Sequence, residues 1–193
     1  GWSFFVSWIP SYFKERHKLD MKASFIMTGL PMFCGGISCL LGGMLSNYLV
    51  NRTGRKRLFR AVFPIAGDMT AGICMFCIPF CKTPAQATVL LCLASAGHDF
   101  GQPINWATIV DVGGRFAGTA FGFINMVGNI GNTIQPPIGG WIQVHFGWNT
   151  LFFTYAFVFA TGASLWFFID PRRRFYREDD PPTQRGFEVV LDR

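Results

Sequence analysis

The sequence predicts an all-α membrane protein with six transmembrane helices, and three observations carry that reading. Half of its 193 residues are hydrophobic and 17% are aromatic, while only 15% are charged, well below the roughly 25% of ordinary soluble domains. The apolar residues are gathered into blocks, most of them reaching the roughly 20 residues that cross a bilayer as a helix. The Lys and Arg residues fall between those blocks and in the tail, where loops at a membrane surface carry them.

The same charge distribution excludes nucleic acid as a partner. The net charge of +6 forms no continuous basic stripe, and loop topology accounts for it. The six cysteines (34, 39, 74, 77, 81 and 92) lie in or beside apolar blocks, where a free thiol behaves as a small hydrophobe. Cys74-x-x-Cys77 has no second Cys or His pair, so no metal and no cofactor is expected.

The first block, Gly1 to Phe13, would reach only about 20 Å as a helix against a hydrocarbon thickness of about 30 Å. The chain is therefore expected to begin partway through a transmembrane helix. Ser11 to Lys22, with six charged residues and His17, reads as a solvated loop, and a second span covers Ala23 to Tyr48 with Gly29, Gly35, Gly36, Gly42 and Gly43 along it. Such small residues let helix backbones approach closely. Asn51 to Arg57 makes a basic turn before a third span, Ala61 to Phe80, whose Asp68 is expected to snorkel or pair locally. Lys82-Thr83-Pro84 breaks the chain before the fourth span, and Asp111 to Arg115 turns it into a fifth, Phe116 to Ile142. Gly118, Gly122, Asn125, Asn129, Asn132 and Pro136 share one stripe of that span. The stripe serves either helix packing with interhelical amide bonds or, at mid-span Asn125, a functional site. Val144 to Trp148 is the last turn before Thr150 to Ile169. Residues 1–170 thus form the membrane domain, and 171–193 form a charged tail expected to be disordered.

The fourth span carries the polar groups that organise the rest. At about 100° per residue, taking His98 as zero, Asn105 falls near −20°, Gln102 near 40°, Ser95 near 60°, Trp106 near 80° and Asp99 near 100°. One arc therefore holds an imidazole, a carboxylate and two amides, which must face protein or a water-filled path because lipid tails satisfy none of them. His98 can bind a carboxylate when protonated, carry a proton itself, or hold helices together. Asp99 is the proton-coupling candidate. An indole such as Trp106 stacks on a sugar face while Gln102 and Asn105 bond its hydroxyls.

Orientation follows from charge. Twelve Lys and Arg lie after the second, fourth and sixth spans and five lie on the other side, which puts the C-terminus in the cytoplasm.

Gly43-Met44-Leu45-Ser46-Asn47 leading to Gly54-Arg55-Lys56-Arg57 resembles the loop signature of the major facilitator superfamily, with Asn47 where the pattern usually has Asp. Trp8-Ile9-Pro10, Leu30-Pro31, Asn105-Trp106-Ala107 with Asp111, Gly118-x-x-x-Gly122-x-x-Asn125 and Pro137-x-x-Gly140 together resemble the C-terminal six helices of its anion:cation symporter branch, the hexuronate, galactonate and sialin-type carriers. The resemblance covers nearly the whole chain except the tail. It implies one half of a carrier that works by alternating access, with an N-terminal six-helix half as partner, a small organic anion and a proton as cargo, and a bacterial inner membrane as location. It also implies that Asn105, Trp106 and Asn125 contact a sugar acid.

Two other classes are weighed against the carrier. Ser95, His98 and Asp99 superficially match the nucleophile set of an intramembrane hydrolase, but they lie within one helix with no second helix supplying the base, so no enzyme is expected. A non-transporting scaffold or receptor of the same fold is separated from a carrier by whether it binds and moves sugar acids.

Overall fold

The computed structural model describes residues 2–18, 21–54 and 56–168. The charged tail expected to be disordered, Arg55, and the side chains of Lys56 and Arg57 lie outside the described residues. What is described is a bundle of helices: α1 (Trp2–Ser7), α2 (Ile9–His17), α3 (Met21–Thr53), α4 (Lys56–Cys77), α5 (Pro84–Gly113) and α6 (Ala117–Leu165). Among the described residues, three stretches are long and apolar enough to cross a membrane: Ile26–Thr53, Leu58–Phe80 and Pro84–Phe168.

Each boundary has a local cause. α1 and α2 part at Trp8 because Pro10, in the first turn of α2, has no N–H to continue the ladder. The helix nevertheless runs to His17, so Ser11 to His17 is not the loop the charges suggest. Tyr12 and Phe13 are buried, and Glu15 accepts hydrogen bonds from Gln143 at 3.1 Å and the Trp148 indole at 3.0 Å. Lys18 closes α2 in the left-handed region, its N–H returning to the Phe13 carbonyl. α3 likewise runs five residues past Tyr48. Gly54, with φ of 69°, then stops it while its N–H reaches the Val50 carbonyl at 2.9 Å.

At the start of α5, Thr83 and Gln86 form a reciprocal capping box with Pro84 beside it. α6 spans two predicted segments. Gly147 alone leaves helical geometry inside it, with φ of 81° and ψ of 176°, a conformation open to glycine. That one residue reverses the chain, because the Gln135 amide donates to the Tyr155 hydroxyl twenty residues on, whereas a straight helix would hold them about 30 Å apart. α6 is therefore two antiparallel arms.

The core gathers Phe4, Ile9 and Phe13 from the first two helices, Ala71 and Met75 from α4, Leu91 and Ala94 from α5, and Leu151 and Phe152 from the second arm of α6. In lipid, apolar side chains gain little by leaving the bilayer for one another, so close packing and interhelical hydrogen bonds set the arrangement. Packing is tightest around α5, which is gripped by α3 on one side and α4 on the other. A Cβ at Gly42 of α3 would collide with the Phe100 carbonyl oxygen, and one at Gly67 of α4 with that of Gly97. Both glycines are required by backbone contact.

Candidate functional site

The polar arc of α5 is divided between its two neighbours. Toward α3, Asp99 is buried and its carboxylate accepts from the Ser95 hydroxyl at 3.2 Å. Gly35 sits directly against this pair, and any side chain there would overlap the Asp99 carboxylate. Ser38 of α3 adds a hydrogen bond of 2.6 Å to the Ala96 carbonyl. Asp99 is thus closed in between two helices. Pro103, four residues on, has no N–H to offer the Asp99 carbonyl, so the α5 ladder is interrupted beside the carboxylate.

Toward α4, His98 does not pair with its neighbour Asp99. Its Nδ1 lies 2.8 Å from the Asp68 carboxylate and its Nε2 lies 3.0 Å from the Gln102 amide nitrogen. The ring packs edge-on against Phe159 of the second α6 arm, with centroids 5.2 Å apart. Asp68 therefore neither snorkels nor pairs locally; its partner is thirty residues away. Its helix begins at Lys56 and continues through a short 3₁₀ turn to Phe80, which puts Asp68 at mid-length. His98 is likewise midway along Pro84–Gly113. The close backbone approach at Gly67 and Gly97 brings the two side chains together. A carboxylate within an apolar span was the available signal for this partner; the missing information was which helix it faced.

Beyond this cluster, Asn105 and Trp106 lie toward the first arm of α6. The Trp106 ring stacks on Phe121 at 4.5 Å and stays 42% exposed. Asn105 is half-buried, and its side-chain oxygen is shielded from solvent without a hydrogen-bond partner, an arrangement that costs about 1–3 kcal/mol unless something fills it. Asn125 is exposed one turn beyond Phe121. His98 and Gln102 thus touch; Asn105 and Trp106 are neighbours on α5, Asn125 is exposed on the first arm of α6, and Asp99 stands apart on the α3 side.

Beyond Trp106 at the same end of α5, the Asp111 carboxylate meets the Arg60 guanidinium of α4 at 3.3 Å. In the basic-turn motif, Gly43 packs against Pro103, Asn47 is exposed and Gly54 caps α3. Among the described residues, no three His, Cys, Asp or Glu side chains gather in a metal-binding cluster.

Comparison with known proteins adds a family. The chain is 32% identical to the probable sulfoacetate transporter SauU of Cupriavidus necator over 98% of its own length and 44% of that protein's. It is 27% identical to the probable galactarate/D-glucarate transporter GudP of Escherichia coli over 72% of the chain and 31% of that protein. With the probable anion transporter 2, chloroplastic, of rice it shares 24% identity over 86% of the chain and 32% of that protein. The chain thus spans less than half the length of these relatives. A model of the Major Facilitator Superfamily matches residues 1–136 and 114–192, and to that family of integral membrane transporters the chain belongs.

Proposed function

We propose that the chain is the C-terminal half of a secondary active transporter that moves a small organic anion, a sugar acid such as hexuronate or galactonate, with protons by alternating access. Six crossings build it: α1 with α2, then α3, α4, α5 and the two arms of α6. The C-terminus faces the cytoplasm, and an N-terminal six-helix half completes the cavity. Two faces left apolar and uncovered suit that partner: Phe33, Leu40 and Met44 on α3, and Phe123, Ile130 and Ile134 on the first arm of α6.

The observation that carries the reading is the orphaned Asn105 oxygen beside the exposed Trp106 ring. A buried acceptor calls for a donor. A sugar acid brings hydroxyl donors for Asn105 and an apolar ring face for Trp106, with Asn125 across the hairpin. Sulfoacetate carries no hydroxyl, so this site favours the polyhydroxy acids that the GudP relative is named for. The mid-span Asp99 and the Asp68 and His98 pair are the groups able to carry a proton.

Equilibrium binding of radiolabelled galactarate to the complete carrier tests this reading. Asn105→Ala and Trp106→Ala should each weaken binding by about tenfold, the equivalent of 1.4 kcal/mol, and sulfoacetate should compete poorly. Unchanged affinity in both variants removes the site; binding without any uptake into proteoliposomes leaves a receptor instead of a carrier.

A further inference from the structure

Three polar side chains from two helices form a continuous chain at mid-membrane: Asp68, His98 and Gln102. Both ring nitrogens of His98 are engaged, and each bond has a direction. Asp68 Oδ1, 2.8 Å from Nδ1, accepts, so Nδ1 carries a proton. The Gln102 amide nitrogen, 3.0 Å from Nε2, donates in the tautomer that leaves Nε2 bare. These two partners fit a neutral imidazole beside an ionised carboxylate, which would set one net negative charge within an apolar bundle, a costly state. Uptake of one proton at Nε2 removes that charge.

Most buried histidines could not accept the proton without losing a hydrogen bond, since a donor facing Nε2 would become a clash of two donors. Gln102 avoids this because its amide offers a donor on one side and an acceptor on the other. A half-turn about its soft terminal torsion presents Oε1 to the new Nε2–H. The same half-turn releases the amide NH₂. Gln102 lies one helical turn before Asn105 and Trp106, so the released donor becomes available at the level where the anion is held.

We propose that His98, backed by Asp68, is the proton site of this half, and that Gln102 couples its protonation to anion binding by reversing its amide. The proposal rests on the carrier reading above and adds the groups and the direction of coupling. The proton comes from water and lands on Nε2. No covalent bond other than that N–H is made or broken, Asp68 stays ionised, and the cluster passes from one net negative charge to none. Anion binding is then favoured twice, by loss of a like charge and by gain of a donor.

The groups facing His98 are few among the described residues. α4 contributes Asp68 and α5 contributes Gln102; the second arm of α6 brings only the Phe159 ring against the imidazole, with Gly162 behind Asp68. Asp99, the next residue, turns its carboxylate to Ser95 and Gly35 on the α3 side, where Cys39 is a titratable neighbour, while staying within electrostatic reach of His98. It is closed in there, whereas the His98 and Asp68 side chains keep 17% and 16% exposure. Proton exchange therefore belongs to the His98 cluster.

The test is the pH dependence of galactarate binding to the complete purified carrier between about pH 5 and pH 8, the range in which a histidine changes charge. In the wild type, affinity should fall by up to about tenfold per pH unit on the alkaline side, as linkage to one proton requires. His98→Asn keeps a bond to Asp68 but cannot titrate, and its profile should be flat. Gln102→Glu presents only acceptors to Nε2, holds the ring proton more tightly, and should move the midpoint to higher pH by about one unit; this variant decides the matter if His98→Asn fails to fold. A wild-type slope retained in His98→Asn, an unmoved midpoint in Gln102→Glu, or a slope abolished by Asp99→Asn alone overturns the proposal. If the wild type binds no sugar acid at any pH, the sugar-acid reading itself falls and takes this inference with it.

Discussion

Glycines line two regions of this bundle, and they do opposite things there. Where α3 and α4 press on α5, a methyl group at Gly42 or Gly67 would strike a carbonyl oxygen of α5, and one at Gly35 would strike the Asp99 carboxylate. On the first arm of α6, Gly118, Gly122, Gly128 and Gly131 have nothing within 4 Å of where a methyl would sit, and every residue from 122 to 134 is exposed. The pattern in the sequence is the same, small residues at helical spacing. The difference is that one set is filled by contacts within the chain while the other faces outward. α5 is consequently fixed on two sides, and its polar groups are held at set distances, while the α6 arm keeps an uncovered face.

Substitution should separate the two regions sharply. Gly42→Leu or Gly67→Leu forces two helix backbones apart and should cost about 3 kcal/mol or more, at the upper end of overpacking effects. Thermal unfolding of the complete carrier in detergent, followed by size-exclusion fluorescence, should show little folded protein for either. Gly128→Leu or Gly131→Leu should leave the fold of this half intact. A stable Gly67→Leu protein would mean that α4 and α5 are not in backbone contact, and the positioning of Asp68 against His98 would lose its cause.

The next effect is smaller and tests that positioning directly. Asp68→Ala leaves the His98 Nδ1–H without its acceptor and should cost about 1–3 kcal/mol. In a cycle with His98→Phe, the coupling between the two positions should reach about 0.5 kcal/mol or more, as for residues in direct contact. Additive effects in the same thermal assay would show that the pair contributes nothing to holding α4 on α5.

Much of this was legible in the sequence, and the remainder was withheld for physical reasons. Apolar blocks, Pro84 and Gly54 place most helices, because breakers and hydrophobic runs act locally. The turn at Val144 to Trp148 was also visible, though it narrows in the structure to Gly147 alone. Charge misled at Ser11 to His17, where buried Tyr12 and Phe13 and the anchoring of Glu15 on Trp148 keep the helix going. The angular count on α5 put Ser95, His98, Asp99, Gln102, Asn105 and Trp106 on one arc; Ser95 and Asp99 are buried, His98, Gln102 and Asn105 are half-buried, and Trp106 is exposed. It had no means of assigning Asp99 to α3 and His98 to α4, since an arc defines a direction from one axis and says nothing about where the neighbouring axes lie. Asp68 stood out as a carboxylate in an apolar span; its partner required the fold.

The smallest effect concerns the hairpin that presents the free face. The two arms of α6 border an apolar groove of about 500 Å³, lined by Ile130, Ile134 and Ile138 on one arm and Leu151 and Val158 on the other. The Gln135 amide bonded to the Tyr155 hydroxyl spans it. Interhelical hydrogen bonds in membrane proteins average only about 0.6 kcal/mol, because the separated helices find other partners. Gln135→Leu should therefore lower stability by about that amount, leaving the Tyr155 hydroxyl oxygen without its donor. The reversal itself depends on Gly147 and on the Glu15 bonds to Gln143 and Trp148, which the substitution does not touch. A loss of several kcal/mol in the thermal assay would mean that this one bond, and not the turn, holds the first arm in place, and the outward face of α6 would then be positioned by a side chain instead of by the backbone.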